Sequence, residues 1–456
     1  MSTTDTAPKS NGHGSNHEAE EALRRLPRPL SARSAESSPM AGTDIDLTGR
    51  ALYLPRMPYG GSRLLAAALQ SIGIDARVTP ESDARTLELG AKYTSGDECY
   101  PQKVVMGDLM KLLEDERIDP KKLAFMIPTA NGPCRFGQYA PLQRVVLDET
   151  GLQDVVILSL TSADGYAGIG EHAQELIRTA WRAVVGCDIL MKLLLKTRPY
   201  EMKAGDTDAV YLESLEAVSA ILSRPGVSHK ERMGELQAAF ARVKAKFLAI
   251  PVREEDRPLI GVVGEIFCRL NTYSNEELIR RIEAQGGECW LAGVSEWIWY
   301  TTEERFRRYR EEKHRVSKDW LKAYLTQRIQ SSDEHALMEQ FHDVFAGYEE
   351  PHVTEILEYA RPYLPQSGSM GEMVLSTGGT IFFHHKGADG IVDISPFTCM
   401  NGIITEAIYP KVSREHDNIP IRVFYFDGTQ SDLDRDVGIF LELAGTYKRR
   451  KKVSRA

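Results

Sequence analysis

The chain has 456 residues, 42% of them hydrophobic, and six cysteines. That length suits two or three domains with cores that need no disulfide staples. A net charge of −9 argues against a general nucleic-acid field, and no apolar run approaches the ~20 residues that cross a bilayer.

The N-terminus lacks the basic-then-apolar pattern of a secretory signal. A cytoplasmic protein with neither membrane nor nucleic-acid partners is therefore expected. Residues 1–46, rich in Ser, Glu, Ala, Pro and Gly, read as a disordered tail. A first α/β lobe is predicted over 47–170. "ALYLPRM" is a strand, "SRLLAAALQSIG" a helix and "IDARVTP" a strand, followed by the helical pattern "YPQKVVMGDLMKLLED". "KLAFMIP" and "DVVILSL" are short buried-type strands.

Residues 171–255 turn helical, with "EHAQELIRTAWRAVVGCDILMKLLLK" as one long amphipathic helix and two shorter helices after it. A second α/β lobe is predicted over 256–447. Its strands are "PLIGVVGEI", "ECWLAGV", "GIVDIS" and "IRVFYFD", and a helical insertion falls at about 302–345. Residues 448–456 close the chain as a basic tail, within "YKRRKKVSRA", read as solubilising. The fold class is α/β: two Rossmann- or flavodoxin-like parallel-sheet lobes with helical insertions facing a central cleft, each lobe a degenerate copy of the other.

The cysteines are sparse, which does not suit a secreted disulfide framework. Cys134, Cys268 and Cys399 each lie just beyond a predicted strand, where open parallel sheets gather their ligands. Cys99 and Cys399 each precede a helix, whose N-terminus favours thiolate. Cys187, in a helical apolar pattern, and Cys289, opening an apolar strand, read as core residues. No C-x-x-C pair occurs, so zinc-ribbon and ferredoxin spacings are absent. Spacing alone leaves open a shared metal or cluster and unrelated turn cysteines.

The stretches "GDECYPQKVVMGDLMKLL", "PTANGPCRFGQY", "RPYE", "GEIFCRLNTYSNEELI" and "SPFTCMNGI" together resemble the acyl-CoA dehydratase activase-related proteins. More distantly they resemble subunits of 2-hydroxyacyl-CoA dehydratases and benzoyl-CoA reductases. The likeness covers most of residues 48–447. It implies a [4Fe–4S] cluster held at Cys99 in "ECYP", Cys134 in "GPCR" and Cys399 in "FTCM", with Cys268 in "IFCR" as candidate fourth ligand. Ligation by Cys268 would close the cluster for electron transfer; without it one iron would stay open for chemistry.

The resemblance further implies a low-potential reductive or radical step and a partner ATPase of the dehydratase-activase type. An acyl-CoA substrate or enzyme and a homo- or heterodimer complete the picture. The chain has no G-x-x-x-x-G-K-[ST] loop, so ATP hydrolysis would belong to the partner. The alternative is a non-redox subunit carrying zinc or a structural cluster that assembles with, or matures, another enzyme.

Four polar stretches complete the candidates. "STGGT" (376–380) reads as a helix entry or a phosphate cradle. His384 and His385 read as a solvated helix end or as cleft donors. Glu265, Arg269, Asn271 and Asn275 follow a strand, where Arg269, like Arg135, could balance thiolate charge and Asn275 suits a helix cap. The acids at 427, 432, 434 and 436 read as a solvated loop and helix start.

Overall fold

Two runs of consecutive apolar residues, "LIGVVG" and "GIVDISP", form strands buried along their whole length. Strands covered on both faces lose the polar alternation of half-exposed ones. In the computed structural model, which describes residues 47–129, 134–160, 173–312, 317–365, 371–429 and 432–455, each run is a central strand of a parallel sheet. The expected N-terminal tail, 1–46, lies outside the described residues.

The first sheet joins β1 (Ala51–Leu54), β2 (Asp75–Val78), β3 (Leu123–Met126) and β4 (Val156–Leu158) in the order β2-β1-β3-β4. The second joins β5 (Leu259–Gly264), β6 (Glu288–Leu291), β7 (Gly390–Pro396) and β8 (Ile421–Phe426) in the order β6-β5-β7-β8. All pairings are parallel and the two orders are the same permutation. The mixed α/β class with two parallel-sheet lobes is thus observed. In each sheet the order of strand addition switches sides between two parallel central strands, β1 and β3 or β5 and β7. Ligands of open parallel sheets bind beyond the carboxyl ends at that point.

The two helical stretches pack on one another. Helices Ala173–Thr197, Asp206–Leu222 and His229–Leu248 share an apolar cluster with helix Lys318–Met338, built on Trp181, Leu215, Phe240, Leu337 and Phe341. Asp333 anchors the seam by pairing with both Arg178 and Arg182 at 2.8 Å. Trp181 donates to the Gln330 carbonyl at 2.8 Å.

"STGGT" is neither a cradle nor a helix entry. It lies inside helix Glu372–His385, wholly buried. A Cβ on Gly378 would stand 2.1 Å from the Ile356 carbonyl oxygen, so the glycine serves close packing with helix Val353–Ala360.

The basic C-terminus is also not simply solvated. Helix Leu433–Arg450 runs into it, and Lys448 pairs with Asp256. Lys451 pairs with the buried Asp389 at 2.7 Å and Arg455 with the buried Glu288 at 2.5 Å. Among the described residues no helix is long and apolar enough to cross a membrane.

Candidate functional site

The carboxyl edges of the two sheets are tied to each other by their loops. Asn271, past β5, donates its side-chain amide to the Arg56 carbonyl, past β1, at 2.6 Å. Arg135, past β3, donates to the Asp97 carbonyl at 2.6 Å, and to the Thr398 carbonyl and hydroxyl, past β7, at 3.3 and 3.4 Å. One guanidinium therefore spans the loops of Cys99, Cys134 and Cys399.

Those three cysteines share a local geometry. Cys99 is the N-cap of helix Tyr100–Glu114, with proline in the first turn, and Cys399 is the N-cap of helix Met400–Glu415. Cys134 caps the short 3-10 turn Arg135–Gln138, its sulfur accepting from the Phe136 amide at 3.5 Å. The Cys99 thiol shares a hydrogen bond with the Tyr139 hydroxyl. Cys134 is exposed, and Cys99 and Cys399 are half-buried.

Cys268 is different. It lies within helix Ile266–Leu270, is 0% exposed, and its thiol faces the Ser274 carbonyl at 3.9 Å. The four still neighbour one another electrostatically: Cys99 acts on Cys134, Cys134 on Cys399, and Cys399 on Cys268. Among the described residues no three His, Cys, Asp or Glu side chains already surround one point as a bound ion would require. Cys187 and Cys289 are buried in the core, as the sequence pattern suggested.

The expected thiolate bias at Cys99 and Cys399 does not appear. Burial pushes both thiols up, and outweighs the lowering by the first-turn amides of Gln102 and Asn401. Neighbouring carboxylates add to the rise at Cys399. Burial likewise raises Cys268. Cys134, though its residue is exposed, is raised by desolvation of its sulfur on the inner side, with Glu372 and Glu265 adding to the rise.

Behind the cysteines stands a buried polar group whose full extent the sequence did not signal. β5 ends at Gly264, with φ +130, where a Cβ would meet the Ile394 carbonyl oxygen at 2.1 Å. The turn hands the chain to Glu265, which accepts from the Phe267 and Cys268 amides at 3.1 and 2.7 Å. Glu372 accepts from the Ile266 amide at 2.8 Å, so two carboxyls hold one short helix start. Burial and the charge of Glu265 push Glu372 up to about 8.

Arg269 is 6% exposed beside this pair, with Glu296 and Glu372 lining the same small cavity. Its positive charge favours the ionised forms of Glu265, Glu372 and Glu296. Arg269 therefore balances carboxylates first. Asn275 donates to the Cys268 and Arg269 carbonyls at 2.9 and 3.0 Å and accepts weakly from the Leu278 amide at 3.4 Å. It holds the Cys268 turn; the N-cap of the next helix, Leu278–Ala284, is Glu277 and not Asn275 as expected.

His384 and His385 are not cleft residues. They end the helix that Glu372 begins, roughly 18 Å along its axis at 1.5 Å per residue. His384 is buried and His385 exposed. Burial, with His416 and His385 nearby, pushes His384 down to about 4. The acids near the C-terminus take ordinary roles: Asp432 caps helix Leu433–Arg450 and Asp427 accepts from Thr429.

No family model matches the chain, and no curated protein matches it significantly.

Proposed function

We propose that the chain is an iron–sulfur protein that works in low-potential electron transfer, or in a reductive or radical step, beside a separate ATP-dependent activator. The carrying observation is the placement of Cys99, Cys134 and Cys399 as three helix caps at the facing sheet edges, spanned by Arg135. Soft sulfur donors at strand ends suit an iron–sulfur cluster. When bound, a [4Fe–4S] cluster supplies one-electron transfer at a potential set by ligation, burial and hydrogen bonds to sulfur.

The chain's own residues have separable roles in this reading. Cys99, Cys134 and Cys399 hold the group. Arg135 fixes the three loops and offsets thiolate charge, and the Tyr139 hydroxyl bonds the Cys99 sulfur. Burial raises the proton affinity of the Glu265–Glu372 pair behind the site, and the Arg269 charge opposes that rise. The fully buried Cys268 stands behind the outer three, which favours an arrangement with one iron open. The acyl-thioester substrate and the activator partner rest on the sequence resemblance.

Electron paramagnetic resonance of the anaerobic, dithionite-reduced full chain tests this. A paramagnetic cluster signal is expected in the wild type and in Cys268→Ser, and its loss in Cys399→Ser. A colourless wild-type protein containing zinc and no such signal would reject the redox reading in favour of a structural metal.

A further inference from the structure

Three histidine rings meet far from the cysteines. His384 and His416 have ring centroids 5.2 Å apart, His384 and His385 5.5 Å, and His385 and His416 5.9 Å. With Zn–N near 2.1 Å, each ring centre lies about 3.2 Å from a bound ion, so tetrahedral ligands place ring centres about 5.2 Å apart. The rings are splayed, at 53° to 78° to one another, rather than stacked.

His384 is 5% exposed, yet its Nδ1 has no hydrogen-bond partner among the described residues and its Nε2 meets only Asp417, beyond ordinary hydrogen-bond length. Buried polar atoms are usually satisfied, so this ring wants a ligand. Its Nε2 stands 3.6 Å from Asp417 Oδ2, an oxygen donor at the same place. His416 Nδ1 is 2.8 Å from the Val412 carbonyl. That contact uses one nitrogen as donor and leaves Nε2 for a metal, the usual outer support of a ligating histidine. His385 ends helix Glu372–His385 and His416 is the C-cap of helix Met400–Glu415. Two helix C-termini bring negative dipole ends to one spot, which favours a cation.

We infer that His384, His385, His416 and Asp417 form a second metal site, for a divalent transition ion of the zinc class, which pins the C-termini of these two helices. The donor atoms do not yet converge. Ligation therefore requires side-chain rotation, which falls to the exposed His385 and exchanges its edge-on contact with Tyr359 for the ion, while His416 stays on the Val412 carbonyl. The Asp417 and Asn418 backbones, at φ 54 and 55, hold the adjoining turn. This site does not depend on the iron–sulfur reading.

The test is zinc chloride titration, by calorimetry, of the metal-stripped full chain carrying Cys99→Ser, Cys134→Ser and Cys399→Ser. One equivalent should bind, with affinity reduced at least about tenfold in His385→Ala and in His416→Ala. No zinc uptake by the folded serine variant, or unchanged affinity in either histidine variant, would overturn the site. If circular dichroism shows the serine variant misfolded, zinc-edge X-ray absorption of the zinc-loaded wild type decides. Several imidazoles in the first shell support the site, and a shell of sulfur alone overturns it.

Discussion

Arg135, one residue after Cys134, donates to both the carbonyl and the hydroxyl of Thr398, one residue before Cys399. The two residues belong to different lobes. Thr398 has φ 63, costly for a β-branched residue, so this turn persists only while its surroundings hold it. Arg135→Ala should therefore loosen the Cys399 turn and, through Asp97, the Cys99 turn. Hydrogen exchange by mass spectrometry should show faster exchange at 96–100 and 397–402, with β5 and β7 unchanged. Unchanged exchange in both loops would remove Arg135 from this role.

The helix that presents Cys99 is positioned by close backbone packing. A Cβ on Gly107 would lie 1.9 Å from the Thr86 carbonyl oxygen of helix Ala84–Lys92. Gly107→Ala should cost about 2–3 kcal/mol by urea denaturation. Gly234→Ala, on a helix with open space around it, should instead stabilise by about 0.5–1 kcal/mol. Equal effects at the two positions would show that backbone contact is not what matters at Gly107.

Asp108 in the same helix is 1% exposed and accepts from Ser82 and Thr86 hydroxyls at 2.9 and 3.0 Å. Burial pushes its carboxyl up to about 6. The folded state thus holds this proton more tightly than the unfolded chain, where the pKa is near 3.9. Its contribution to stability falls as pH rises from about 4 to about 6 and then levels, a loss on the order of 2–3 kcal/mol. Asp108→Asn should flatten that part of the stability profile. A profile identical to wild type between pH 4 and 7 would contradict the assignment.

Lys451 and Asp389 pair with side chains 9% and 3% exposed. Removing the cation leaves a carboxylate buried at the start of β7. Lys451→Met should cost about 3–5 kcal/mol in denaturant unfolding, the usual penalty for breaking a buried pair. A loss within ~0.5 kcal/mol, typical of surface substitutions, would mean that the tail is not docked in solution.

What could be read from the sequence follows the range of each interaction. "LIGVVG" and "GIVDISP" announce central strands because burial on both faces leaves a continuous apolar run. The cysteine positions were legible for the same local reason, each falling just past such a strand or at a helix start. Glu372 was not, since its partner is an amide 106 residues away. Lys451 and Arg455 looked like tail charges because Asp389 and Glu288 are distant in sequence. "STGGT" misled because a glycine chosen for close packing against Ile356 has the same letters as a phosphate loop. The thiolate bias expected at helix starts was outweighed by burial, which is set by tertiary packing.

The most direct measurement is iron and acid-labile sulfide per chain after strictly anaerobic purification, on wild type and Cys134→Ser. About four of each in wild type, falling steeply in the variant, is the expected result for a [4Fe–4S] site built on the outer cysteines. Fresh anaerobic wild type with neither iron nor sulfide, or a full complement retained in Cys134→Ser, would contradict it.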